Sequence, residues 1–169
     1  MNDLEKRFPG VRFYNPTLTE VQADVSIGAG TRVGSFTLIH QGVVIGSATT
    51  IGSHCNICAS RIGDRVSIQT GCHITRGVVV EDEAFLGPGV ITLNDTLKGD
   101  HPMAYPRICR GAKVGGGTVI LPGVTIGEGA IVGAGSVVRC DIPAGKTVLG
   151  SPLHIVRSGA HRSVARTSE

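Results

Sequence analysis

Aliphatic residues recur at every sixth position along most of the chain. Val21, Ile27, Val33, Ile39, Ile45, Ile51 and Ile57 form one series, after which the register slips by one residue. It resumes at Ile62, Ile68, Ile74, Val80 and Leu86, lapses, and continues through Ile108, Val114, Ile120, Ile126, Val132 and Val138. Four residues beyond most anchors stands a small or β-branched residue, as at Val25, Thr31, Thr37, Val43, Thr49, Cys55, Val66, Cys72, Val78 and Ala84, with Arg61 the misfit at the slip. Glycine directly follows many anchors (Gly28, Gly34, Gly46, Gly52, Gly63, Gly87, Gly115, Gly127, Gly133), where a turn can demand positive φ. No helix has a period of six. Short strands meeting at tight corners cannot bury their apolar sides alone, but stacked into a solenoid they share one continuous core.

The IGxxT-type hexad resembles the repeat of the left-handed parallel β-helix family. That resemblance implies three hexads per triangular coil, so the eighteen hexads counted above predict about six coils. At a strand spacing of ~4.8 Å the prism is on the order of 30 Å tall. Dealing the anchors out in threes places 21, 39, 57, 74, 108 and 126 on a first face and 27, 45, 62, 80, 114 and 132 on a second, with the rest on a third. Cys55 and Cys72 then become inward neighbours one coil apart, read as small apolar fillers.

Composition agrees with a solenoid. Among 169 residues there are 25 glycines, no Trp and only six Phe and Tyr, so the interior is aliphatic. A net charge of +3 is small and argues against a nucleic-acid partner; the one basic cluster is the C-terminal RSGAHRSVARTSE, for which nucleic-acid binding is the minor alternative. The N-terminal MNDLEKRFPG is too polar for a signal peptide and no apolar run is long enough to cross a bilayer, which suggests a cytoplasmic protein without a membrane partner. Five cysteines, an odd number, point to free thiols. The expected organisation is a lead-in at 1–20, a β-helix domain at 21–157 and a basic tail at 158–169.

The hexads are interrupted by ITLNDTLKGDHPMAYPR, expected to form an extruded loop at about 92–107. Long loops in compact folds are commonly functional. With the faces as dealt, it leaves at the corner between the third and first faces, above the outward positions of His73 and Asn56. Asn56, His73, Asn94 and Asp95 are therefore expected to gather, with His101 free to reach a neighbouring subunit. Each residue alone is equally consistent with solvated surface or ordinary turn chemistry.

From LGPGVITLND through VGGGTVILPGVTIGEGAIVGAGSVVRCDIPAGKTVLGSPLHIV the chain resembles the hexapeptide-repeat acetyltransferases. The stretch IGSHCNICASRIGDRVSIQTGCHITRGVVVEDEAFLGPGV is similar to the branch that N-acetylates amino groups of nucleotide-linked sugars, whose members also carry Asn-Asp soon after a GP-containing hexad. The resemblance implies a homotrimer with acetyl-CoA as co-substrate between subunits and no metal. It assigns the pantetheine arm to small residues at Gly116 and Ala134, stacked on the second face, and the nucleotide phosphates to Arg139, His154 and Arg157. His154 and the SPLHIV segment depart from the family's commoner G-x-P-A-R-x-I pattern. GAGTR at 28–32 is similar to a sugar nucleotidyltransferase loop but falls within the hexad register.

Acyl transfer requires an in-line nucleophile, donors for the developing oxyanion and a route for one proton. A partly neutral sugar amine needs little base assistance, which would leave orientation to Asn94 or Asp95. O-acetylation of a saccharide or small alcohol with His101 as general base is the alternative. A zinc hydratase of the γ-carbonic anhydrase type and a non-catalytic scaffold are further readings, the former weakened because only His73 and His101 lie near the loop.

Overall fold

A computed structural model describes residues 3–96, 102–151 and 153–155. Apart from a short helix at Asp3–Arg7 and a 3-10 turn at Pro16–Leu18, the described elements are short strands, nearly all of two residues, one side chain outward and the next inward. They stack in parallel into three sheets, giving the expected all-β solenoid. The first face stacks Glu20–Val21, Leu38–Ile39, Asn56–Ile57, His73–Ile74, Ile91–Thr92, Val119–Ile120 and Val137–Val138. The second stacks Ser26–Ile27, Val44–Ile45, Arg61–Ile62, Val79–Val80, Arg107–Ile108 and Thr125–Ile126. The third runs from Arg12–Phe13 through Arg32–Val33, Thr50–Ile51, Ser67–Ile68, Phe85–Leu86, Lys113–Val114 and Ile131–Val132 to Thr147–Leu149, where His154–Ile155 adds an antiparallel strand.

The seven-stranded first face makes about seven turns, one more than the hexad count predicts. The extra rungs have Phe13, Thr92 and Val148 as inward residues, all buried. The first of them lies within the 1–20 segment expected to lead in, and the basic tail at 158–169 lies outside the described residues. Thr92 escapes a search for aliphatic anchors because its hydroxyl is satisfied inside the prism: its Oγ1 accepts the Thr75 N–H at 2.9 Å and lies 3.0 Å from the Thr75 Oγ1.

That hidden rung corrects the face assignments beyond it. Ile108 and Ile126 belong to the second face, Val114 and Val132 to the third, and Ile120 and Val138 to the first. The excursion leaves from the corner between the first and second faces, not between the third and first. It spans 93–106 rather than 92–107, since Thr92 and Arg107 are both in strands. The slip is also resolved. Ser60, not Arg61, takes the inward corner position, so the segment from Ile57 to Ile62 is one residue short and Arg61 points out.

Side chains inside the prism form vertical ladders. Thr31, Thr37, Thr49 and Thr118 are fully buried, and their hydroxyls donate to the carbonyls of Gly46, Gly52, Gly63 and Gly133 one turn above. Each such bond contributes about 1 kcal/mol net, which is why threonine suits this hexad position. Cys55 and Cys72 are core neighbours as expected. The Asn56 N–H donates to the Cys72 carbonyl at 2.9 Å, and the two thiols donate to Gln69 and Gly87 carbonyls, each at 3.2 Å.

Candidate functional site

The first face carries the outward column Glu20, Leu38, Asn56, His73 and Ile91, each paired in register with the next. Asn56 and His73 are therefore adjacent, both half-buried. Asn56 Oδ1 lies 2.8 Å from His40 Nε2 and accepts the Cys58 thiol at 3.8 Å. Burial pushes the Cys58 thiol up, opposed by the nearby Arg76 cation, so this sulfur is a protonated neighbour rather than a nucleophile. His40 is the member that the hexad reading missed. The available signal was its place immediately after Ile39, in the corner column shared with Cys58 and Thr75.

At the first–second corner, Asn94 Nδ2 donates to the Arg76 carbonyl at 3.1 Å, one turn below. The Ala104 N–H returns to the Asn94 carbonyl at 3.1 Å and closes the neck of the excursion. Its return limb lays the Tyr105 ring against Gly77, whose φ of 82° and lack of a side chain allow the contact. The structure thus brings Asn56 and His73 together and holds Asn94 at the edge of the same face. Asp95 follows and is exposed. His101 and Arg157 lie outside the described residues.

Small residues line the opposite edge of this face. Gly116 and Ala134 are stacked neighbours: the Gly135 N–H donates to the Gly116 carbonyl at 2.9 Å, and the Gly117 N–H to the Pro88 carbonyl at 2.8 Å. Their place is the third–first corner, however, and not the second face, because the hidden Thr92 rung shifts them by one side. At this corner Gly71, Gly89, Gly117 and Gly135 all adopt positive φ. A side chain added at Gly117 or Gly135 would meet nothing within 4 Å, so the upper edge is open. Arg139 is exposed on the far edge, directly after Val138. His154 is exposed on the antiparallel strand beside Leu149, on the third face. Within one chain the small-residue edge, Arg139 and His154 occupy different sides of the prism.

Among the described residues, no group of three or more His, Cys, Asp or Glu is arranged to hold a metal ion. No helix among them is long and apolar enough to cross a membrane.

A family model described as bacterial transferase hexapeptide (six repeats) matches residues 105–140. The chain is 35% identical over 116 residues to the bifunctional protein GlmU of Rubrobacter xylanophilus, covering 69% of this chain and 24% of that one. It is 38% identical over 106 residues to serine acetyltransferase 2 of Arabidopsis thaliana, covering 59% of this chain and 31% of the relative. It therefore spans about a quarter to a third of these curated relatives. Among solved structures, a variant of GDP-perosamine N-acetyltransferase from Caulobacter crescentus, bound to CoA and GDP-perosamine, is 26% identical with a TM-score of 0.56, over 88% of this chain and 58% of that one. With its stacked hexads, triangular prism and matched repeat, the chain is a hexapeptide-repeat β-helix protein, similar in sequence and fold to the acetyltransferases of that kind.

Proposed function

We propose that the chain is a CoA-dependent acyltransferase that moves an acetyl group from acetyl-CoA to the amino group of a nucleotide-linked amino sugar. The observation that carries this reading is the Asn94–Asp95 loop neck at the edge of the face bearing Asn56, His73 and His40, in a fold similar to a GDP-perosamine N-acetyltransferase. The amine attacks the thioester carbonyl, the C–N bond forms, the C–S bond breaks, and the amine proton leaves to solvent or to the departing thiolate. Asn94 or Asp95 orients the amine, His73 and Asn56 hold the sugar, and a backbone N–H at the glycine edge receives the oxyanion. Acetyl-CoA runs along Gly116 and Ala134, with Arg139, His154 and Arg157 near its phosphates. Because Gly116 and Ala134, Arg139, and His154 lie on different sides of one prism, the reading places the site between subunits of a homotrimer. In this reading the reaction runs in the cytoplasm on a small-molecule sugar, and neither a nucleic acid nor a membrane is part of it.

The test is mass spectrometry of products after incubating the purified chain with acetyl-CoA and a panel of amino-sugar nucleotides, simple sugars and serine. Acetylation confined to amino-sugar nucleotides is expected; no acetylated amino sugar in the panel would refute the reading. The similarity to a serine acetyltransferase and the His-Pro in the loop support the second reading, O-acetylation with His101 as general base. His101→Ala should then lower turnover by roughly 100-fold or more.

A further inference from the structure

The lower end of the first face carries a feature that acetyl transfer does not use. Phe36 and His54 occupy the third–first corner in the two turns below Gly71, both at φ 57°. Higher turns of that edge give this conformation to glycine, so two rings are kept here against a backbone cost. The rings stack, with centroids 4.9 Å apart and planes 10° from parallel, and Phe36 remains 55% exposed. Beside Phe36 lies an open depression of about 380 Å³, lined by Thr17, Leu18, Thr19, Glu20, Phe36, Thr37 and Leu38. Its walls come from the turn of Phe36 and the turn below, whereas His54 belongs to the turn above. The ring therefore offers the depression the side turned away from the imidazole.

Most polar atoms of this wall are already engaged. The Thr37 hydroxyl donates to the Gly52 carbonyl, that of Thr19 to the Asn15 carbonyl, and that of Thr17 to the Asn15 Oδ1. The depression thus presents an aromatic face, the aliphatic Leu18 and Leu38, and one carboxylate, Glu20. One oxygen of this exposed carboxylate accepts the Gln22 amide at 3.2 Å, and the group has further acceptor capacity. An anion is repelled by that carboxylate, while a flat ring carrying N–H donors on its edge is accepted. Glu20 and Leu38 also continue, in register, the column that rises to Asn56 and His73. From Glu20 to His73 is three rungs, roughly 14 Å at ~4.8 Å per rung. A diphosphate joining a base to a sugar has a reach of that order, and it would pass beside His40 rather than Glu20.

We infer that the depression beside Phe36 is the seat of the acceptor's nucleobase, stacked on the Phe36 ring with its N–H edge toward Glu20. This deepens the proposed function and rests on it for the identity of the acceptor. The test uses the full chain saturated with CoA, titrated calorimetrically with UDP, dTDP, GDP and inorganic pyrophosphate. Phe36→Gly removes the ring at a backbone conformation that glycine adopts without strain, so folding is preserved. The variant should bind at least one nucleoside diphosphate roughly 5- to 150-fold more weakly, the range expected for one base–aromatic stack, and bind pyrophosphate as before. Glu20→Gln should narrow the differences among the bases. Unchanged nucleotide affinity in Phe36→Gly, equal weakening for pyrophosphate, or no nucleotide binding by the parent chain overturns the inference. So does a change of assembly mass by light scattering, which would assign the ring to a contact between copies. A nucleotide site sensitive to Phe36 in a chain that acetylates no amino sugar would sink the proposed reaction and leave this site standing. Acetylation with an unchanged acceptor KM in Phe36→Gly would do the reverse.

Discussion

Gly77→Ala should damage catalysis far more than folding. A Cβ at Gly77 would lie 2.2 Å from Tyr105 Cδ1 and 2.5 Å from Cε1, where ordinary carbon contacts are about 3.5–4.0 Å. The ring must therefore withdraw by at least about 1.3 Å. A side chain at the observed φ of 82° adds a backbone cost of about 1–2 kcal/mol. Tyr105 adjoins Ala104, whose N–H closes the loop neck on Asn94, so the displacement is passed to the residue proposed to orient the amine. Misplacement on the order of 1 Å can lower a rate by about 100-fold. The expected outcome is a ~100-fold fall in kcat/KM for acetyl transfer, with about 1–3 kcal/mol lost from unfolding stability measured in urea. Gly111→Ala is the matched control: its φ is 65° and an added Cβ meets nothing within 4 Å. It should lose about 1–2 kcal/mol of stability and keep full activity. Tyr105→Ala in the Gly77→Ala background should recover a large part of the rate. Full activity in Gly77→Ala, or an equal loss in Gly111→Ala, would refute the view that the return limb positions the site.

Asn94→Ala removes the amide that donates to the Arg76 carbonyl and should reduce kcat by about 10–100-fold with little change in the KM for acetyl-CoA, measured in steady state; an unchanged kcat would remove Asn94 from the mechanism. Ser60 buries a hydroxyl that has no hydrogen-bond partner among the described residues. Ser60→Ala should therefore stabilise by about 1 kcal/mol, seen as a rise of a few degrees in Tm, whereas a destabilised variant would mean the hydroxyl is satisfied. The hydrogen-bonded Cys55 beside it and burial push the Cys72 thiol up. The folded chain then holds this proton at pH values where the unfolded chain has lost it, so stability is intact below the ordinary thiol range and declines as pH rises above about 8.5. Urea midpoints between pH 7 and 10 should show that decline in the parent chain and a flatter profile in Cys72→Val. A thiol reagent should modify exposed Cys140 in the native state, and buried Cys55 and Cys72 only on unfolding.

The solenoid was legible because its signal is one aliphatic residue per hexad, repeated until chance is excluded. What the pattern lost were rungs whose inward residue is not of that class. Thr92 is polar yet satisfied by Thr75, and Phe13 is an aromatic residue buried beside Phe8 in the first rung of the third face. Missing Thr92 turned every later hexad by one face, which moved the loop and the Gly116–Ala134 pair to the wrong corners while preserving their vertical stacking. Adjacency of Asn56 with His73, and of Cys55 with Cys72, survived because both pairs precede the hidden rung. The His40–Asn56 contact was not foreseen, since side-chain reach across a corner depends on rotamers that a six-residue period does not encode.

The bond from the Ala104 N–H to the Asn94 carbonyl divides labour within the chain. It ties the two ends of the excursion together, while the rungs on either side pair with each other directly, Val79–Val80 with Arg107–Ile108 and Ile91–Thr92 with Val119–Ile120. Lengthening such a loop costs little, because closure entropy grows only with the logarithm of its length. Natural variation can therefore rewrite the segment and, in the proposed reaction, exchange one acceptor for another without renegotiating the prism, as a handle is changed on a tool whose shaft stays the same.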